Sequence, residues 1–98
     1  MYKINTTPKA GWLVISRDIS DIKATKVNAF ETDEAFMKAA GAEDLLTAIN
    51  LFRNTAHKEN KVLVILEHHI FIKWDLRHWD NHPEILEKAE KLGWIEKC

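Results

Sequence analysis

The chain has 98 residues, of which 46% are hydrophobic, and a formal net charge of -1. This length suits one small domain with one hydrophobic core. The 14 basic and 15 acidic side chains nearly cancel, which excludes a general electrostatic attraction to nucleic acid or membranes and also the strongly negative surface of a nucleic-acid mimic.

Cysteine and glycine usage further limits the kinds of site that the chain can form. Cys98 is the single cysteine, so neither an intramolecular disulfide nor a thiolate metal site is expected, and the chain is typical of a cytoplasmic protein. The beginning of the sequence lacks the pattern of a signal peptide, and no apolar run reaches membrane-spanning length. The three glycines do not form the motif of a phosphate-binding loop, so we expect no cofactor. Because no apolar run is long enough to span a membrane, we also expect no membrane partner.

The first part of the chain predicts an arm followed by a ββα unit. Residues 1–10 are polar and contain Pro8, which indicates a loosely ordered arm. Residues 11–17 and 22–30 are rich in strand-forming side chains and are separated by turn-forming residues, so they predict a hairpin. Thr32 is a suitable cap for a helix, which Gly41 kinks or ends. The first ββα unit is therefore expected over residues 11–40.

An additional helical segment is expected over residues 42–57. Its apolar residues recur at helical spacing and form one stripe that would face the sheet, comprising Leu45, Ala48, Ile49, Phe52 and Ala56.

A second ββα unit is expected over residues 61–98. Residues 62–74 are too many for one ordinary strand, so we predict two strands, 62–66 and 70–74, joined by a loop at residues 67–69. No glycine is present in that loop to adopt a left-handed conformation, which is unusual for this turn. Pro83 then begins a helix that Gly93 ends, and Trp94 is expected to make a closing hydrophobic contact.

The two units align at an offset of fifty residues, which is consistent with an internal duplication. The identical pairs include Leu13 with Leu63, Ile22 with Ile72, and Glu34 with Glu84. A shared hydrophobic pattern would produce the same similarity without duplication. Either interpretation predicts an α+β fold in the order ββα, α, ββα, with a four-stranded antiparallel sheet and helices on one face.

The segment after the predicted fourth strand concentrates chemically versatile side chains. In the fifty-residue alignment it lies opposite an ordinary passage from strand to helix. The alternative is structural, with Trp74 and Trp79 in the core and His82 capping the last helix. The segment contains Trp74, Asp75, Arg77, His78, Trp79, Asp80, Asn81 and His82.

A metal-dependent nuclease is one interpretation of the histidines and aspartates. Imidazole and carboxylate groups suit zinc or harder divalent ions, and the candidate ligands are His68, His69, Asp75, His78, Asp80 and His82. Glu67, His68, His69 and Ile70, with Asn81 further on, resemble the start of the HNH nuclease motif, in which a histidine activates water beside a metal. The final histidine of that motif is missing after Pro83.

Nucleic-acid binding is a second interpretation, because Lys73, Trp74, Arg77 and Trp79 interleave positive charge with aromatic rings that stack on bases. The flanking Asp75 and Asp80 would repel phosphate.

Protein binding is the interpretation that we favour from the sequence. Four tryptophans are many for this length, and tryptophan and arginine dominate interface energetics when they are partly exposed. We therefore predict a small non-catalytic accessory or inhibitor protein, of the size that phages and mobile elements encode, whose partner is another protein or a second copy of the chain. The predicted partner-binding residues are Arg77, His78, Trp79, Asp80 and His82.

Overall fold

The computed structural model describes residues 1–74 and 76–98, and the side chains of all of these except residues 22–24. The strands are β1 (Tyr2–Ile4), β2 (Trp12–Asp18), β3 (Asp21–Phe30), β4 (Lys61–Glu67) and β5 (Ile95–Lys97). The helices are α1 (Asp33–Ala40), α2 (Leu45–Lys58), α3 (His68–Phe71) and α4 (Pro83–Lys91), with a 3₁₀ helix at Leu76–Trp79 between α3 and α4.

The strands form two antiparallel sheets. The larger sheet has the order β3-β2-β4, and the smaller one pairs β1 with β5. The α+β class is confirmed, whereas the prediction of a single four-stranded sheet is wrong. The arm over residues 1–10 was expected to be loosely ordered, but it contains β1, and the backbone N–H of Asn5 also donates to the Trp94 carbonyl at 2.9 Å.

The central strand β2 requires cover on both faces because its apolar residues point in both directions. Leu13 and Ile15 face the core formed with α3 and α4, while Trp12 and Val14 face the core formed with α1 and α2. Side chains on a strand alternate between faces, so four consecutive buried residues leave no face for solvent. The expectation of helices on one face is therefore wrong.

The prediction of a second hairpin is also wrong. Strand β4 matches the first expected strand, but residues 68–71 turn into α3 and residues 70–74 form no strand. A three-residue hairpin loop needs a residue with positive φ, and residues 67–69 contain no glycine to supply it. Among the described non-glycine residues only Asn60 has a positive φ, of 54°, so residues 67–69 do not form such a loop. The fifty-residue alignment thus matches β2 to β4 and α1 to α4, but it places β3 opposite helical and turn structure.

The three predicted helices are confirmed as α1, α2 and α4, but His82, the suggested cap of α4, makes no side-chain capping hydrogen bond. The Thr32 hydroxyl accepts a hydrogen bond from the Ala35 N–H at 3.0 Å and begins α1. Gly41 and Gly93, with φ of 74° and 78°, adopt the left-handed conformation beyond α1 and α4 that glycine tolerates best. Trp94 is fully buried in the same core cluster as Leu86 and Ala89 of α4, as expected, and its backbone N–H also donates to the Ala89 carbonyl at 3.0 Å.

Within the described part of the chain, every helix is too short or too polar to cross a lipid bilayer.

Candidate functional site

The candidate site lies in the segment that joins β4 to α4. This segment begins with α3, in which His68 and Phe71 are both buried, as their spacing of three residues allows on one helix face. It continues through Trp74 into the 3₁₀ helix and reaches α4 through His82, whose φ of -128° and ψ of 72° place it outside the helical region before Pro83. Helical turns thus present the side chains that were expected on a strand and loop.

A continuous row of aromatic rings connects this segment to the core. The Trp74 and His78 ring centroids lie 4.6 Å apart, and His78 meets Trp79 edge to face at 4.7 Å. Trp79 stacks on Phe71 at 6.0 Å, and Phe71 contacts Trp94 at 5.3 Å. Edge-to-face and offset contacts of this kind stabilise ring pairs beyond the area that they bury. The surface rings are therefore held by the interior rings.

The two tryptophans of the segment have opposite environments. Trp79 is only 7% exposed and belongs to the core, whereas Trp74 is 45% exposed. Of the predicted partner-binding residues, Trp79 therefore supports the surface from below, and the ring that solvent reaches is Trp74. Next to Trp74, a shallow groove is lined by Ile4, Ile72, Lys73 and Leu76. We call these groove residues, with Trp74 and His78, the Trp74 surface.

The other predicted partner-binding residues lie around this surface. Arg77 and Asp80 are exposed at the two ends of one turn, where the Asp80 N–H donates to the Arg77 carbonyl at 3.4 Å. His82 is half-buried, and its Nδ1 lies 3.5 Å from Oε1 of Glu84. Ring contacts join Trp74, His78 and Trp79, whereas the His82 ring pairs with Glu84. Asp75 lies outside the described residues.

His68 is placed as a structural residue. Its side chain is 3% exposed, its Nε2 lies 2.8 Å from the Asn5 carbonyl oxygen, and its Nδ1 accepts from the Lys9 N–H at 3.3 Å. Both ring nitrogens are thus occupied in tying residues 5–9 to the core, and neither points to a metal. Across residues 1–74 and 76–98, no three histidine, cysteine or carboxylate side chains come together in a way that would hold a metal ion. The His69 ring is exposed.

Two further clefts lie outside the Trp74 surface. One, between the first residues and α3, brings Glu67 and His69 near Asp33, whose Oδ1 accepts from Trp12 Nε1 at 2.8 Å. The other lies between the sheet and helices α1 and α2. Its polar lining supplies hydroxyl and amide groups together with Glu59 and Lys61, whose charged ends lie 3.2 Å apart and form an ion pair.

No protein-family model matches this sequence, and neither the curated proteins nor the solved structures contain a significant match.

The sequence placed Trp74 among the candidate nucleic-acid-binding residues but not among the predicted partner-binding residues. Trp74 was assigned to the end of a strand, where its exposure could not be distinguished from that of Trp79. A usable signal was present, because His68, Phe71 and Ile72 follow the i, i+3, i+4 spacing of a helix. The groove beside Trp74 includes Ile4, which only the tertiary fold brings there.

Proposed function

We propose that the protein is a non-catalytic accessory or inhibitor protein that binds another protein through the Trp74 surface. The observation that carries this proposal is the 45% exposure of Trp74, a large ring held against His78 and Trp79. Contact between a large tryptophan ring and water is energetically unfavourable, and tryptophan is enriched among the residues that dominate protein interfaces. Its placement beside the half-buried Ile4, Ile72 and Leu76 gives the apolar centre that such interfaces have.

The charges around the Trp74 surface fit the rim of a protein interface. Lys73, Arg77 and Asp80 are all exposed, so both signs of charge are present. Mixed charges at a rim orient a partner and contribute less affinity than the apolar centre. Rigid support from the aromatic row favours binding further, because a side chain that is already ordered loses less entropy when a partner binds.

Nucleic acid is a less favoured ligand for the same surface. A base would stack on Trp74 between Lys73 and Arg77, but the buried Trp79 ring is not accessible for a second base. The net charge of -1 adds no general attraction to phosphate. A cytoplasmic location and a phage or mobile-element source remain parts of the proposal that rest on the single cysteine and on size.

The test is affinity capture from cells of the source organism with three tagged proteins, which are the unmodified protein and two variants. Trp74→Ala removes the centre of the proposed interface, and Leu46→Ala is the matched control, because Leu46 is a 69% exposed apolar residue on α2. We expect Trp74→Ala to reduce recovery of a specific partner protein at least about tenfold, a loss typical of an interface hot spot, while Leu46→Ala retains it.

Equal recovery by all three proteins would show that the Trp74 surface is not the interface. Recovery of nucleic acid in place of protein, with steep salt dependence, would favour the alternative ligand. Trp79→Ala is unsuitable for this test because deleting a buried tryptophan costs about 3–5 kcal/mol of stability.

A further inference from the structure

Strand β4 has one free edge. It pairs with β2 along one side, from Lys61 opposite Asp18 to Glu67 opposite Trp12, in an uninterrupted antiparallel register. Among the described residues, no strand pairs with its other side. That side therefore presents a row of backbone N–H and C=O groups, which is the template for pairing with another strand.

The centre of β4 carries none of the features that normally protect an edge strand. Its sequence, KVLVILE, has five aliphatic residues in succession, with charges at the ends alone and no proline. The opposite edge, β3, differs, because it carries exposed Lys26 and Asn28 and its pairing with β2 has an irregularity at Arg17 and Asp18. Charged and bulged edges resist strand addition, so β4 is the edge open to it.

We propose that β4 pairs antiparallel with β4 of a second copy of this chain, about a two-fold axis through Val64. This inference goes beyond the proposed function, since it concerns a separate surface. A two-fold interface requires that if one residue faces another, the reverse contact also occurs. The β4 sequence meets this requirement: Lys61 faces Glu67, Val62 faces Leu66, and Leu63 faces Ile65.

Charge complementarity selects a second copy as the occupant. The register about Val64 places Lys61 of each copy opposite Glu67 of the other, which gives two opposite-charge pairs at the ends of the paired strands. Glu67 is half-buried and has no ion-pair partner in the described part of the chain. The Lys61 Nζ lies 3.2 Å from Oε2 of Glu59, whose side chain is 52% exposed, so this existing pair is at the solvent-facing rim.

The apolar residues at the axis supply the remaining contact. Val62 and Val64 are 41% and 40% exposed, although they share the sheet face of the buried Leu66. In the paired register, Val64 contacts Val64 of the second copy, and Val62 lies opposite Leu66 of the second copy. The two three-stranded sheets then form one six-stranded sheet, and the exposed valines lose contact with water.

Disulfide cross-linking tests this register. In a Cys98→Ser background, Val64→Cys places two thiols opposite each other at the axis, with Cα atoms about 4.5–5.5 Å apart, which a disulfide spans. Val62→Cys is the matched control of equal residue type and exposure. Its two copies are four residues out of register, roughly 13 Å apart along the strands, which is beyond disulfide reach.

We expect Val64→Cys to form a covalent dimer under mild oxidation at least about ten times faster than Val62→Cys, because only the former meets the distance limits. Equal rates would indicate random collision and would overturn the proposal, as would the absence of a dimer for both variants. Species larger than a dimer, measured for the unmodified chain by sedimentation, would also overturn it, because open-ended strand pairing is not a closed two-fold contact.

Charge reversal tests the partner's identity independently. Lys61→Glu and Glu67→Lys each place like charges opposite each other at both ends, and each is expected to raise the dimer dissociation constant about tenfold. A mixture of the two variants restores opposite charges between unlike copies, so it should form mixed dimers with nearly the original affinity. Failure of the mixture to recover affinity would contradict pairing about Val64. Neither experiment depends on Trp74, so failure here and failure of the proposed function are distinguishable.

Discussion

Two buried tryptophans of the same core differ in one hydrogen bond. The indole Nε1 of Trp94 donates to the Ala10 carbonyl at 3.1 Å, whereas no described residue accepts from the buried Nε1 of Trp79. The Trp94 hydrogen bond is part-buried and ends on the exposed Ala10, so its loss removes the modest net contribution of an ordinary hydrogen bond, whereas the buried Trp79 N–H without an acceptor makes no such contribution. The two rings therefore contribute differently to stability although both are closely packed.

Phenylalanine substitutions at these two positions test the difference. Both replacements remove a similar volume, but only Trp94→Phe removes the hydrogen bond to the Ala10 carbonyl. We expect Trp94→Phe to lower the free energy of unfolding by about 0.5–1.5 kcal/mol more than Trp79→Phe does. Urea unfolding of both variants measures this. Equal losses would mean that the Trp94 hydrogen bond contributes nothing, or that Trp79 has an acceptor of its own.

Residue types in the segment at positions 68–82 were recognisable from the sequence, but their roles depended on the backbone. His68 was a candidate metal ligand by residue type, and the fold instead engages both of its ring nitrogens with the backbone of residues 5–9. The sequence predicted a strand that ends at Trp74, whereas α3 ends at Phe71, so the Trp74 ring points in a direction that the strand prediction could not give. Residue type therefore indicated a candidate segment, and the backbone conformation decided which of its rings is exposed.

At the scale of elements, α2 begins at a charged cap. The Asp44 side chain accepts from the Thr47 backbone N–H at 2.8 Å and from the Thr47 hydroxyl at 2.9 Å. These two hydrogen bonds, the backbone one first, lower the pKa of the Asp44 carboxyl below its ordinary value of 3.8. An ionised carboxylate at a helix N-terminus is also favoured by the helix dipole.

The lowered pKa of Asp44 predicts the pH dependence of α2. Because the folded pKa lies below the unfolded one, the stabilisation by the ionised group is fully present above the unfolded value of 3.8 and is lost as pH falls through the folded value. Asp44→Asn keeps a capping side chain without the charge. We expect the wild-type advantage over Asp44→Asn to be largest near about pH 7 and to vanish in strong acid. A pH-independent difference in urea unfolding would contradict this.

Local patterns predicted the longer elements, and contacts between distant residues decided the others. Helices α1 and α2 begin at the side-chain caps Thr32 and Asp44, α4 begins at Pro83, and all three have apolar stripes within their own sequences. Strands β1 and β5 have three residues each, and they pair the two ends of the chain, so neither has a local signal strong enough to predict it. Short edge strands depend on their partner for stability, which sequence patterns do not report.

At the scale of the molecule, the two surfaces proposed for binding belong to different elements. The β4 edge extends the sheet into a second copy, whereas the Trp74 surface belongs to the segment packed over one sheet face. A dimer formed through β4 would thus carry two Trp74 surfaces. Two linked copies raise the apparent affinity for a partner that also presents two sites, provided that both can be reached together.

Amide hydrogen exchange, on the protein alone and with its captured partner bound, tests the binding function most directly. Direct contact with Trp74 predicts slower exchange at residues 72–74 and 76–79, because a partner excludes water from these turns. Exchange in α1 and α2, on the other side of the sheet, should be unchanged. Protection confined to α1 and α2, with none around Trp74, would contradict the proposed function.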